Sequence, residues 1–231
     1  KRVENIYPLG NQAHIKPNNI FLALIIILLY ISFIKESMKL IDYIRKWNNI
    51  INEKTLDSFK TYLKSSLPMW EPGKVVGNST DGTGQINTDI RKVDLYQLFN
   101  NSESLTNVHW HNFFQTTFHK CLQKYASETN VELEVSKYWD LSVLRYNKTG
   151  FYTPHFDHSI KNVRTLSLIY LINDDYEGGE LKFHGIDRKE IIYKLPTEKN
   201  SLVMWPSNFV YPHSVSAVTK GIRYSLVGWI Q

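Results

Sequence analysis

Residues 164–181 read RTLSLIYLINDDYEGGEL, and they decide the class of fold. Leu166–Ile172 is an apolar and aromatic run of strand length. Asn173-Asp174-Asp175 stops it, and Gly178-Gly179 marks a second turn shortly afterwards. The same texture extends in both directions. Leu141–Tyr146 precedes the stretch, and Glu180–His184, Ile191–Leu195, Ser201–Trp205 and Tyr224–Ile230 follow it. From Val131 onward the chain therefore reads as short strands separated by turns.

Upstream the periodicity changes. After Met38 apolar residues recur at helical spacing, with Leu56, Phe59, Leu63 and Leu67 on one face and Pro68 as the stop. Residues 72–88 (PGKVVGNSTDGTGQINT) read as a polar loop, and we expect a lid over substrate there. Residues 104–130 read as a second helix carrying Phe113, Phe114, Phe118 and Leu122, ended by Thr129-Asn130. Helices first and strands afterwards indicate an α+β chain with a jelly-roll-like barrel.

The chain has 231 residues, 42% hydrophobic and 13% aromatic, which suits one ordinary domain with an N-terminal appendage and argues against disorder. The net charge of +5 is unevenly spread: residues 1–54 carry a net +4, leaving +1 for the other 177. A near-neutral body lacks the footprint of phosphate-backbone binding, so no nucleic-acid partner is expected. Cys121 is the single cysteine, which excludes an intrachain disulfide and a thiolate metal site.

Residues 1–37 form an apolar N-terminal segment, and residues 38–231 the domain proper. Ile20–Ile34 is an uncharged run of 15 residues, between the lengths of a core helix and a membrane span. Three readings stand: a short signal-anchor, a buried or interfacial helix, or a stretch outside the mature protein, with Met38 as its start. A membrane-anchored location follows from the first and a cytoplasmic one from the last.

The chemistry sits in the second half. His155 and Asp157 lie two apart in FYTPHFDHS, so on an extended strand both point to one face. His213 follows 58 residues later in VYPHSVSAV, and Arg223 ten residues after that. Two imidazoles and one carboxylate are the facial triad of non-haem iron oxygenases, which leaves coordination positions open. A 2-oxo acid bound there needs a fixed cation at its far carboxylate, and a guanidinium supplies it bidentately. Each residue alone has a plainer reading: a lone His-x-Asp is more often a surface pair, Arg223 an ion-pair residue, Tyr152 and Trp229 core aromatics. His158 should face away from the pair. His109 and His111 have strand-face spacing but sit at a helix start with no further partners, and read as capping or surface residues; His119, His184 and His14 have no partner pattern and are read as structural.

Three motifs together, LRYNKTGFYTPHFDH, RTLSLIYLINDDYEGGEL and PHSVSAVTKGIRYSLVGWI, make the segment from about Thr55 to Gln231 resemble the prolyl 4-hydroxylase-type family of 2-oxoglutarate oxygenases. The resemblance implies a double-stranded β-helix (jelly-roll) core with N-terminal supporting helices. It implies Fe(II), with 2-oxoglutarate and dioxygen as cosubstrates and ascorbate as a candidate accessory reductant. His155, Asp157 and His213 match the iron ligands, Arg223 the residue that holds the distal carboxylate, and Tyr146 a tyrosine of the cosubstrate pocket. Tyr152, Arg164 and Trp229 match residues around a substrate proline, and Glu177-Gly178-Gly179-Glu180 a structural turn. The cosubstrate-binding threonine falls on Thr165, Leu166 or Ser167 according to where the alignment is anchored; Ser167 is taken because its hydroxyl can donate to a carboxylate. The implied reaction is hydroxylation of prolyl residues in a peptide or protein. The alternatives are the same chemistry on another side chain or a small molecule, and a non-catalytic jelly-roll binding protein.

Overall fold

Asn52 opens the first helix: its side chain accepts the N–H of Thr55 at 2.8 Å, satisfying one of the donors that a helix start leaves unpaired. Helix α1 then runs Glu53–Lys64 and buries Leu56, Phe59, Tyr62 and Leu63. The computed structural model describes residue 25 and residues 39–65, 67–75, 84–99, 102–134, 141–160 and 163–231. The chain divides at residue 39, and the second unit, Leu40–Gln231, holds everything that follows. Among the described residues no helix is long and apolar enough to cross a membrane. Ile20–Ile34, save Ile25, lies outside them, as does the centre of the expected lid at 76–83.

Helix α2 spans Leu105–Thr129. Ser104 caps its start, and Asn130 ends it in the left-handed region (φ 52°, ψ 38°), as the Thr-Asn pair predicts. Trp110, Phe114, Phe118, Leu122 and Tyr125 form its buried stripe. Phe114 meets Phe59 of α1 with ring centroids 4.7 Å apart, and Tyr170 of the sheet at 5.6 Å.

The strands are β1 (Arg45–Asn48), β2 (Glu71–Pro72), β3 (Arg91–Lys92), β4 (Asp94–Leu98), β5 (Leu141–Tyr146), β6 (Phe151–His155) and β7 (Leu166–Leu171). They continue with β8 (Glu177–Gly178), β9 (Leu181–His184), β10 (Ile191–Lys194), β11 (Ser201–Pro206), β12 (His213–Val215), β13 (Val218–Lys220) and β14 (Arg223–Ile230). Among the described residues the larger sheet runs β1-β11-β7-β14-β5-β4-β2, the smaller β10-β9-β12-β6-β3, and β13 pairs with β8. All these pairings are antiparallel.

Alternation along β7 separates two cores. Leu166, Leu168 and Tyr170 join the helices, while Ile169 and Leu171 join an inner cluster with Tyr146, Val203, Trp205 and Val227 of the larger sheet and Leu181, Phe183 and Val215 of the smaller. One face of the larger sheet thus carries the helices, and the other packs on the second sheet as in a jelly roll.

The helical reading after Met38 is corrected in two places. Arg45–Asn48 is an edge strand paired with Ser201–Met204 of β11, because the sheet's open edge offers it backbone partners. Leu67 is 61% exposed beyond the end of α1, where Ser65 turns the chain by donating its N–H and hydroxyl to Tyr62 O.

Candidate metal centre

Strand pairing, not sequence proximity, makes this site. His155 on β6 and His213 on β12 are register partners, so residues far apart in the chain stand side by side with ring centroids 4.4 Å apart. Each ring is held by the carbonyl two residues before it. His155 Nδ1 lies 2.9 Å from Thr153 O, and His213 Nδ1 lies 3.1 Å from Tyr211 O. A proton on Nδ1 satisfies each carbonyl and leaves both Nε2 lone pairs pointing at the same place. Trp205 packs edge-on against His213 at 4.9 Å and fixes the ring plane.

Asp157 completes the candidate ligand set, although the expected geometry is corrected. Strand β6 ends at His155, and Asp157 sits on the bend beyond it. Its backbone N–H donates to Ser207 O at 3.2 Å, and its Oδ2 accepts from Ser167 Oγ at 2.6 Å. These bonds, rather than strand alternation, bring the carboxylate 3.6 Å from His155 Nε2 and 3.5 Å from His213 Nε2. The ligand atoms of the three residues lie within 4.8 Å of one another.

The electrostatics suit a divalent cation. Burial opposes charge on Asp157, but His213, His155 and the Ser167 hydroxyl outweigh it and hold the carboxyl well below its ordinary range. Burial pushes His213 down to about 4, so at neutral pH it is an unprotonated donor. Two imidazole nitrogens and one carboxylate oxygen, with no thiolate, are the donor set for non-haem Fe(II).

Arg223 provides the second test of fit. It is 0% exposed, and its Nη1 donates to Ser225 Oγ at 2.8 Å. Its Nε and Nη2 are buried without a partner, and no ion pair of Arg223 occurs among the described residues. A buried guanidinium with open donors calls for an anion, and a carboxylate matches its fork. The ring of Tyr146 lies 5.1 Å from the guanidinium carbon and lines the adjoining cavity. Gly179, at φ +63°, lets the arginine pass: a Cβ there would come 2.9 Å from Arg223 Cδ. That contact explains the second glycine of the turn.

The cavity measures about 370 Å³ and is lined by the three metal-site residues together with Tyr146, Tyr152, Arg164 and Trp229. Tyr152 stacks on His155 at 3.6 Å, and Arg164 lies 3.6 Å over the ring of Trp229 while its Nη1 donates to Asp157 O at 3.3 Å. Ser167 faces the barrel as expected, and its hydroxyl donates to Asp157 Oδ2, so Ser207 is the donor in the 2.8 Å contact between the two serines. His158 lies with Nδ1 2.9 Å from Arg164 O, outside the ligand set, and His109 and His111 lie on α2. Sequence reasoning missed Ser207 and Ser225. Ser225 was within reach, since it lies two residues beyond Arg223 on one strand and so shares its face; Ser207 carried no signal.

A sequence profile described as the 2OG-Fe(II) oxygenase superfamily matches residues 141–231. A PKHD-type hydroxylase of Picosynechococcus sp. is 38% identical over 91 residues, covering 38% of this chain and 39% of that protein. Human prolyl 3-hydroxylase 2 is 35% identical over 66 residues, covering 29% of this chain and 9% of that one. The chain spans about two-fifths of the length of the PKHD-type relatives it matches. Among solved structures, a Trichoplax adhaerens prolyl hydroxylase in complex with a hypoxia inducible factor peptide fragment superposes with TM-score 0.61 at 14% identity, covering 94% of each chain. A Pseudomonas putida prolyl-4-hydroxylase superposes with TM-score 0.59 at 15% identity, covering 82% of this chain and 92% of that one. At such identities the likeness is one of fold.

Proposed function

We propose that this chain, whose residues 141–231 match the 2OG-Fe(II) oxygenase superfamily, is a hydroxylase of prolyl residues in a peptide or protein. The observation that carries the reading is the convergence of His155, Asp157 and His213 on one cavity, together with a fully buried Arg223 that has unpartnered donors and lies against Tyr146 of the cavity wall. The first set fits Fe(II) and the second fits the distal carboxylate of 2-oxoglutarate. When bound, the pair supplies oxidative decarboxylation of 2-oxoglutarate to succinate and carbon dioxide, coupled to hydroxylation of an unactivated C–H bond.

The chain's own residues supply position and dryness. Two imidazoles fixed by backbone carbonyls and a carboxylate held by Ser167 hold the ligand geometry without reorganisation. Leu144, Ile169 and Val227 give the cavity an apolar wall that excludes water. Tyr152 and Trp229 present aromatic surface beside the candidate ligands, suited to the apolar ring of proline. The relatives named as prolyl hydroxylases support that substrate over another side chain.

The test has two parts. Anaerobic Fe(II) titration with 2-oxoglutarate should give the weak visible charge-transfer band in the wild type and none in folded His213→Ala. Succinate release should then depend on proline-containing peptides, which gain one oxygen by mass spectrometry. Release that alanine-substituted peptides stimulate equally would overturn the prolyl assignment.

A further inference from the structure

The cavity wall carries Lys74, Arg91, Arg164 and Arg188, and its one carboxylate among the described residues is Asp157, already committed to the metal site. The cations come from separate elements: Lys74 follows β2, Arg91 is on β3, Arg164 precedes β7, and Arg188 is in the turn between β9 and β10. Each arginine lies over an aromatic ring: Arg91 over Tyr152 at 4.8 Å, Arg164 over Trp229 at 3.6 Å, and Arg188 over Phe156 at 4.7 Å. A ring holds a guanidinium by its face without neutralising it, and leaves edge N–H donors for a carboxylate.

Neither Arg91 nor Arg188 forms an ion pair with a described residue, and Arg91 Nε is buried without a partner. Asp187, next to Arg188, accepts the N–H of Lys189 at 3.0 Å and does not line the cavity. Residues 55–231 net only +1, so with four cations gathered here the rest of that region is slightly acidic. The positive charge is focused at one mouth, not spread along a track for a phosphate backbone.

Resting on the prolyl hydroxylase reading, we propose that the substrate is an acidic peptide, its aspartate or glutamate side chains flanking the target residue and engaged by Arg91, Arg188 and Lys74. The rings of Tyr152 and Trp229 take the proline, and Arg91 and Arg188, stacked on Tyr152 and Phe156, take the neighbouring carboxylates. Attraction of this kind is screened over a distance of about 8 Å at physiological salt, so the preference weakens as salt rises.

The experiment measures fluorescence anisotropy of two labelled proline-centred peptides on the full chain, one with flanking aspartates and one with asparagines in their place. The acidic peptide should bind roughly tenfold tighter or better at low salt, and both Arg91→Gln and Arg188→Gln should narrow the gap. Arg188 is exposed at φ +62°, so Arg188→Glu should keep the wild-type thermal midpoint and shift preference toward a lysine-flanked peptide. Equal affinity for the two peptides overturns the proposal, as does tighter binding of a single-stranded oligonucleotide. Hydroxylation of both peptides at equal rates removes the acidic preference and leaves the prolyl reading standing. An acidic preference that survives replacement of the central proline by alanine, with no hydroxylation of either, removes the prolyl reading instead.

Discussion

Ser167 Oγ donates to Asp157 Oδ2 at 2.6 Å, so a hydroxyl on the interior strand β7 holds the carboxylate that stands between the two histidines. Asp157 lies past the end of its own strand, and this bond together with the Ser207 carbonyl is what aims it. Ser167→Ala should therefore weaken Fe(II) binding by roughly tenfold, the usual order for losing a partner that orients a ligand. At saturating Fe(II) the KM for 2-oxoglutarate should stay near the wild-type value. A raised KM with unchanged iron affinity would instead put Ser167 on the cosubstrate.

Arg223 poses the opposite problem, a charge buried with donors to spare. Arg223→Met should cost 2-oxoglutarate binding roughly 2–5 kcal/mol, at least about thirtyfold in affinity. Without cosubstrate the same variant should be as stable as wild type or more so, by up to about 4 kcal/mol, because an apolar chain replaces an unpaired buried charge. Thermal unfolding with and without 2-oxoglutarate separates the two effects. An Arg223→Met protein still stabilised by 2-oxoglutarate would show that the carboxylate binds elsewhere.

The site residues were more legible in the sequence than the geometry that joins them. The order His-x-Asp, distal histidine, arginine survives in any register, and β5 and β14 announce themselves as apolar runs bounded by turns. The argument that His155 and Asp157 share a strand face did not survive, since the strand stops between them. What placed Asp157 is a contact with Ser207, a residue on a loop that no local pattern marks. Strands β1, β4 and β12 were equally silent. They are short or mixed in polarity, and each is a strand because a neighbour offers it a ladder: Ser201–Met204 for β1, Leu141–Arg145 for β4, Phe183 and His155 for β12. The ends of α2 were readable because Ser104 and Asn130 act within their own turns.

Gly179 ties the turn between sheets to the buried Arg223. Its φ of +63° and the 2.9 Å approach of Arg223 Cδ leave no room for a methyl group. Gly179→Ala should cost about 1–2 kcal/mol of stability from the left-handed backbone alone. It should also displace the arginine and raise the KM for 2-oxoglutarate, while leaving Fe(II) affinity near wild type. Loss of stability with an unchanged KM would mean that the arginine accommodates the methyl group.

Asn200 fastens the helical layer to the sheet and is the residue whose loss should harm folding without touching the site. It is 2% exposed at φ +57°, where asparagine is tolerated better than most residues. Its Nδ2 donates to Ile51 O at 2.6 Å, and its Oδ1 accepts from Ile51 N at 3.0 Å and from Tyr170 Oη at 2.9 Å. Ile51 lies between β1 and α1, so one amide side chain holds that connection against the end of β11. Asn200→Ala leaves three buried partners unsatisfied and should cost about 2–4 kcal/mol in urea unfolding, whereas Tyr170→Phe removes one bond and should cost about 1 kcal/mol. Iron affinity of the folded fraction should match wild type in both. If Asn200→Ala cost no more than Tyr170→Phe, the Ile51 clasp would carry no stability.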